Sequence, residues 1–168
     1  MTDKKTAAVY IIMGSDSDLP IMTEAKKVLD ELDIKARVHI ASAHRSPDKV
    51  LSLVKEAEAG GAKVFIAGAG FAAHLAGVIA GHTVLPVIGV PLPSSDLNGM
   101  DSLLATVQMP AGIPVATVTI GKTGAKNAAF FAAEIMATSD QALRERLQAC
   151  RQSMADKVQA KDEELQQG

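Results

Sequence analysis

Residues 7–18 read "AAVYIIMGSDSD": seven consecutive apolar residues, a glycine, then two serines alternating with two aspartates. An apolar run of this length without polar alternation is the pattern of a strand buried on both faces. Gly14 ends it, and Ser15-Asp16-Ser17-Asp18 supplies residues that cap a helix N-terminus, ahead of a helical stretch to about Leu32. A strand covered on both sides and followed at once by a helix is half of a parallel strand–helix–strand unit.

The rest of the chain repeats that order. Arg37–Ile40 reads as a short second strand, and Ser46-Pro47-Asp48 opens a second helix, with Ser46 as N-cap and Pro47 in the first turn. Gly60-Gly61 stops it. Val64–Ala67 is a third strand and Gly68-Ala69-Gly70 turns into a small-residue helix. Val84–Val90 is a fourth strand, 100–107 a short helix, 114–120 a fifth strand, and 125–137 an alanine-rich helix. Alternating strands and helices predict an α/β fold: a three-layer, doubly wound parallel sheet of flavodoxin or Rossmann type with an extra C-terminal helix. The predicted organisation is a single domain over 1–168, an α/β core over about 7–137, a helix over about 139–161 and a frayed tail at 162–168. Leu143, Leu147, Cys150 and Met154 form a narrow apolar stripe on that last helix, suited to packing on a neighbouring subunit.

Composition excludes several classes of function. The net charge is −2 with mixed signs, so there is no electrostatic footprint for nucleic acid or an anionic membrane. The N-terminal hexapeptide is polar and is not followed by a signal-peptide pattern, and no stretch is apolar enough to span a bilayer. Cys150 is the single cysteine, which leaves no disulfide framework or cysteine zinc site. The expected location is the cytoplasm. Between Val64 and Ile120 there is no Lys or Arg, and the acids are Asp96 and Asp101 alone. A surface ordinarily carries about a quarter charged residues, so this third of the chain is expected to be covered, in part by other copies in a homo-oligomer.

Ligands of doubly wound sheets bind beyond the carboxyl ends of the strands, which selects the loops 14–18, 41–46, 68–74 and 121–127; the turn-rich segment 91–99 could close over the same edge. In the first loop, Ser15, Ser17 and Asp18 are ordinary caps, yet backbone amides and serine hydroxyls at a helix start also suit an anion. Gly68-Ala69-Gly70-Phe71-Ala72-Ala73 has dinucleotide spacing, but it follows the third strand and lacks the acidic residue about 20 positions on. Gly121-Lys122-Thr123 ends like a P-loop, but Ala116 stands where the first glycine is required. The four histidines show no metal-ligand spacing. His39 lies within a strand and His82 just past a helix. His44 and His74 fall in loops at the ligand edge, where histidine is the natural proton carrier, and Arg45 beside His44 suits a phosphate. The residues alone thus describe a site for a small phosphorylated ligand with histidine acid–base chemistry, without a metal or nicotinamide motif.

Six segments in order, "VYIIMGSDSD", "SAHRSPD", "AGAGFAAHLAG", "LPVIGVP", "GMDSLLATVQMP" and "GIPVATVTIGKTGAKNAA", resemble the N5-carboxyaminoimidazole ribonucleotide mutase family, a small bacterial carboxylase-type subunit of purine biosynthesis. The resemblance covers about Ala8 to Ala137. It implies a cofactor-free isomerase that moves a carboxylate from the exocyclic nitrogen of a ribonucleotide to ring carbon C4. It further implies that Ser17, Ser42 and Arg45 meet the substrate phosphate, with Ser15 beside it, and that Asp18 takes the ribose hydroxyls. His44 would be the general acid and base. Gly68, Ala69, Gly70 and the backbone at Ala72 would hold the migrating carboxylate, with His74 at the border. The family's octamers, with active sites between subunits, and transient contact with an ATP-dependent synthetase are likewise implied. Phe71, where the family usually has a small residue, and Ala76, in place of a common proline, depart from the pattern. The rival readings are a direct CO2-using carboxylase in the same fold and a non-catalytic phosphate- or nucleotide-binding module.

Overall fold

A computed structural model describes residues 7–167; the polar hexapeptide 1–6 and Gly168 lie outside the described residues. Five parallel strands, β1 (Val9–Met13), β2 (Ala36–Ile40), β3 (Val64–Ala69), β4 (Val87–Pro91) and β5 (Ala116–Thr117), form one sheet in the order β2-β1-β3-β4-β5. This is the flavodoxin-like doubly wound order. The helices are α1 (Leu19–Glu31), α2 (Pro47–Ala59), α3 (Leu75–Ala80), α4 (Met100–Val107), α5 (Gly121–Ala137) and α6 (Gln141–Gln166).

β1 explains the three layers. All five of its residues are buried, and alternate side chains point to opposite faces. Val9, Ile11 and Met13 join a core with Met22, Ala25 and Leu29 of α1 and the alanines of α5. Tyr10 and Ile12 join a second core with Val50, Leu53 and Val54 of α2 and Leu75 and Ile79 of α3. The small face of α5, Ala125, Ala128, Ala129, Ala132 and Ala133, is wholly buried, which lets that helix lie close to α1 and the sheet.

The structure departs from the sequence expectations at the ends of elements. β4 begins at Val87 rather than 84, and Val84 is fully exposed. The fifth strand, expected over 114–120, is reduced to Ala116–Thr117, an edge that pairs with β4 alone. The last helix continues to Gln166 rather than stopping near 161. No glycine or proline interrupts it, and side-chain pairs such as Gln152–Asp156 and Gln159–Glu163, both at 2.8 Å, support its outer turns. Its stripe is also divided: Leu143 and Leu147 are buried in this chain's own core, Cys150 is partly buried and Met154 is exposed, as are Val158 and Leu165 further along the helix. No helix among the described residues is long and apolar enough to cross a membrane.

Candidate functional site

Sheet order determines what meets at the carboxyl edge. β1 lies between β2 and β3, so the chain leaves the sheet in opposite directions on either side of β1, and the loops after β2 and β3 face each other across its end. A cleft of about 470 Å³ opens there, within the range of small-molecule sites. Its lining includes Ser15, Ser17, Asp18, Ser42, His44, Arg45, Ala69, Gly70, Ala72 and His74.

After β1, the chain makes a single 3-10 turn, Asp16–Asp18, before α1. Ser15 and Asp18 form a capping box: the Ser17 amide donates to Ser15 Oγ at 3.4 Å, and the Ser15 amide donates to Asp18 Oδ2 at 3.0 Å. The capping bonds are thus made, but on this 3-10 turn; α1 itself starts after Asp18 without a side-chain cap bond. Asp18 is buried. That burial pushes its carboxyl above the ordinary range, opposed by the Ser15 amide and the Arg45 charge. A raised carboxyl pKa contributes stability that is present in full below the unfolded value and lost as pH rises through the folded one. Asp18→Asn is accordingly expected to melt slightly above the wild type at pH 7, the gap closing as the pH falls into the carboxyl range. Thermal unfolding across pH checks this; a lower melting point at pH 7 would mean the charge is net stabilising.

After β2, serines close the turn. The Ser42 amide donates to Ser46 Oγ at 2.9 Å, and Ser46 Oγ donates back to the Ser42 carbonyl at 3.3 Å. Ser46 thus does not cap α2 through its side chain as expected; its hydroxyl is used on the loop instead. Ser42 Oγ accepts from the amides of His44 and Arg45, at 3.3 and 3.1 Å, so its own O–H is left to donate into the cleft. Arg45 Nη2 donates to the Gly14 carbonyl at 2.9 Å and ties this loop to the one after β1.

His44 and His74 come together across the cleft. His44 Nε2 lies 2.8 Å from His74 Nδ1, with the rings 4.9 Å apart and at 80°. One nitrogen of this pair must donate and the other accept, so the contact holds one proton between two bases. Both side chains are exposed to the cleft. The remaining histidines are elsewhere. His39 stacks on Tyr10 at 5.6 Å, its pKa lowered mainly by burial. His82 bonds through Nδ1 to the Val78 carbonyl at 2.8 Å.

Gly68 does not line the cleft. It lies within β3, paired with Met13 and Val90, and a methyl group there would meet Met22 Sδ at 2.3 Å. Its small size serves the packing of α1 on the sheet. Residues 121–127, expected as a loop at the ligand edge with the helix starting at 125, are the first turns of α5, and none of them lines the cleft, because β5 lies at the far edge of the sheet from β1 and β2. Ser94, on the connection after β4, brings the segment 91–99 to this edge as expected, although no single residue of that segment was singled out. The available signal was its position just past the strand beside β3. Gly14, Ala43, Phe71 and Leu75 complete the lining. Among the described residues, no group of three or more His, Cys, Asp or Glu side chains is placed to hold a metal ion.

Residues 8–157 match the model of a family described as AIR carboxylase. The chain is 52% identical over 154 residues to the N5-carboxyaminoimidazole ribonucleotide mutase of Haemophilus influenzae, covering 92% of this chain and 94% of that protein. It is 51% identical over 152 residues to the protein of the same name from Escherichia coli K12, covering 90% of each. A crystal structure of Treponema denticola PurE superposes with a TM-score of 0.85 at 32% identity, over 94% of this chain and 97% of that one.

Proposed function

The chain belongs to the AIR carboxylase family, and on that footing we propose that it is an N5-carboxyaminoimidazole ribonucleotide mutase of purine biosynthesis, working without metal or organic cofactor. The observation that carries the proposal is the convergence of His44, His74 and Arg45 on one cleft with the Ser15–Asp18 turn. The names of relatives about half identical over nearly the whole chain support the same reading.

In this reading the phosphate sits against Ser17, Ser42 and Arg45, and Asp18 accepts from the ribose hydroxyls. The heterocycle then reaches toward the turn at 69–74, where the two histidines meet. His44 gives a proton to the exocyclic nitrogen, the N–C bond breaks, and CO2 and aminoimidazole ribonucleotide remain side by side. Ring carbon C4 attacks the CO2, and the now neutral His44 removes the C4 proton. The proton borrowed in the first half is returned in the second, so the sum is an isomerisation. Holding CO2 beside the ring makes the second half effectively unimolecular. The lining contains no lysine, so no amine competes for CO2. His74 is a positioning residue: its contact with His44 Nε2 aims that nitrogen before substrate displaces it.

The exposed apolar side chains Met100, Leu104 and Val107 on α4 and Met154 and Val158 on α6 support assembly into a homo-oligomer, an octamer by family resemblance, in the cytoplasm. Arg45→Ala is expected to weaken binding of ribose 5-phosphate about 30-fold, the loss of one charge-assisted hydrogen bond. Titration calorimetry measures this, and unchanged affinity would remove Arg45 from the phosphate site. The function itself is tested by turnover of freshly prepared N5-carboxyaminoimidazole ribonucleotide without ATP, metal or bicarbonate, where the C4-carboxylated isomer is the expected product. Product only from aminoimidazole ribonucleotide plus bicarbonate would make the protein a direct carboxylase. No product from either would leave a binding module.

A further inference from the structure

Phe71 combines three properties that do not fit a packing role. Its backbone is left-handed, with φ of 52°, a region that a bulky side chain enters only under strain. Its side chain is 60% exposed, so little burial offsets that strain. It also lines the cleft. The surroundings hold the turn in this shape. The Ala69 carbonyl accepts from the Leu92 amide at 3.0 Å, and the Ala72 carbonyl accepts from the His74 amide at 2.8 Å. Any methyl group on Gly70 would meet Ser94 Oγ at 2.4 Å, so that side of the turn is walled. Strain kept at an exposed aromatic on a cleft wall points to a contact made when the cleft is filled.

The position of the turn says which part of a ligand that is. The groups suited to phosphate, Ser17, Ser42 and Arg45, stand on the loops after β1 and β2, whereas Phe71 stands on the loop after β3, three residues from His74. We propose that Phe71 is a specificity-determining residue, whose ring stacks on the heterocycle of the bound ribonucleotide and distinguishes it from the bare sugar phosphate. The proposal rests on the functional reading above, since it takes the ligand to be a ribonucleotide. Aromatic faces suit this task because a planar heterocycle stacks on them at low cost in side-chain entropy.

The test compares two ligands on the full-length protein: the C4-carboxylated product and ribose 5-phosphate. Phe71→Gly is expected to bind the product about tenfold more weakly, a typical stacking loss, and ribose 5-phosphate as well as the wild type does. Phe71→Tyr should restore product binding. Because glycine accepts the left-handed backbone, Phe71→Gly should also melt no lower than the wild type. That combination cannot come from a structural role, which would lower stability and weaken both ligands together. Equal loss for both ligands, or undiminished product binding, overturns the proposal; if the glycine variant folds poorly, Phe71→Leu carries the same comparison. A wild type that turns over substrate while the variants bind normally overturns Phe71's role alone. A wild type without turnover overturns the functional reading beneath it.

Discussion

His44→Asn is expected to fold, to bind ribose 5-phosphate like the wild type, and to lose mutase turnover by at least about 1,000-fold. The magnitude follows from the work assigned to one side chain. A positioned acid or base contributes about 10²–10⁴-fold to a single proton transfer, and here the same imidazole serves both halves of the reaction. Asparagine can hydrogen-bond but cannot carry a proton. It can still present an amide toward His74, so the loop has no reason to collapse: the turn is closed by Ser42 and Ser46 through their own hydrogen bonds, and the side chain at 44 is exposed. Stopped assays of carboxylate migration at saturating substrate would measure the loss. A variant with near-normal turnover would sink the proton-shuttle assignment and direct attention to His74, the other base in contact. A variant equally deficient in ribose 5-phosphate binding would show that the loop, rather than the proton, was lost.

The doubly wound fold was legible because β1 announces itself. Seven apolar residues followed by Gly14 and a cap sequence leave little alternative to a strand covered on both faces, and turn-forming residues follow the later strands as well: Ser46-Pro47 after β2, Gly68 and Gly70 at the end of β3, Pro91 and Pro93 after β4 and Gly121 after β5. Element ends were less legible where they depend on partners. β5 has only β4 beside it, so its apolar sequence 114–120 is mostly not used as strand. Ser46 looks like a cap, and its hydroxyl goes to Ser42 instead, a choice made by loop closure rather than local preference. Gly68 shows the same limit. Its glycine suggests close approach to a ligand, but the close neighbour is Met22, a contact between elements that adjacent sequence does not reveal. His44 and His74 could each be assigned to the ligand edge from the strands they follow. Their contact follows from β1 lying between β2 and β3, a fact of sheet order that no local pattern contains.

Gly124→Ala is expected to be the most damaging single methyl group in the chain's second half, costing about 3 kcal/mol of stability, the upper end of ordinary overpacking. A Cβ at this position would lie 1.6 Å from the Thr119 carbonyl oxygen and 2.8 Å from its carbon. Both are backbone atoms, so no rotamer change relieves the clash, and the turn between β5 and α5 must move. That turn cannot move alone, because the next residue, Ala125, is fully buried and α5 packs through its alanine face against α1. α1 in turn follows directly from the Ser15–Asp18 turn at the cleft, so part of any displacement reaches the site and should weaken ligand binding as well. Gly81→Ala supplies the control. It sits at φ of −71°, and its nearest contact would be an ordinary 3.5 Å to the Gly77 carbonyl, so its stability should stay within about 0.5 kcal/mol of the wild type. Chemical denaturation of both variants at one protein concentration makes the comparison, which matters because assembly makes apparent stability concentration-dependent. Two variants of equal stability would mean that the Thr119 turn yields freely and that α5 is held by its alanine face alone.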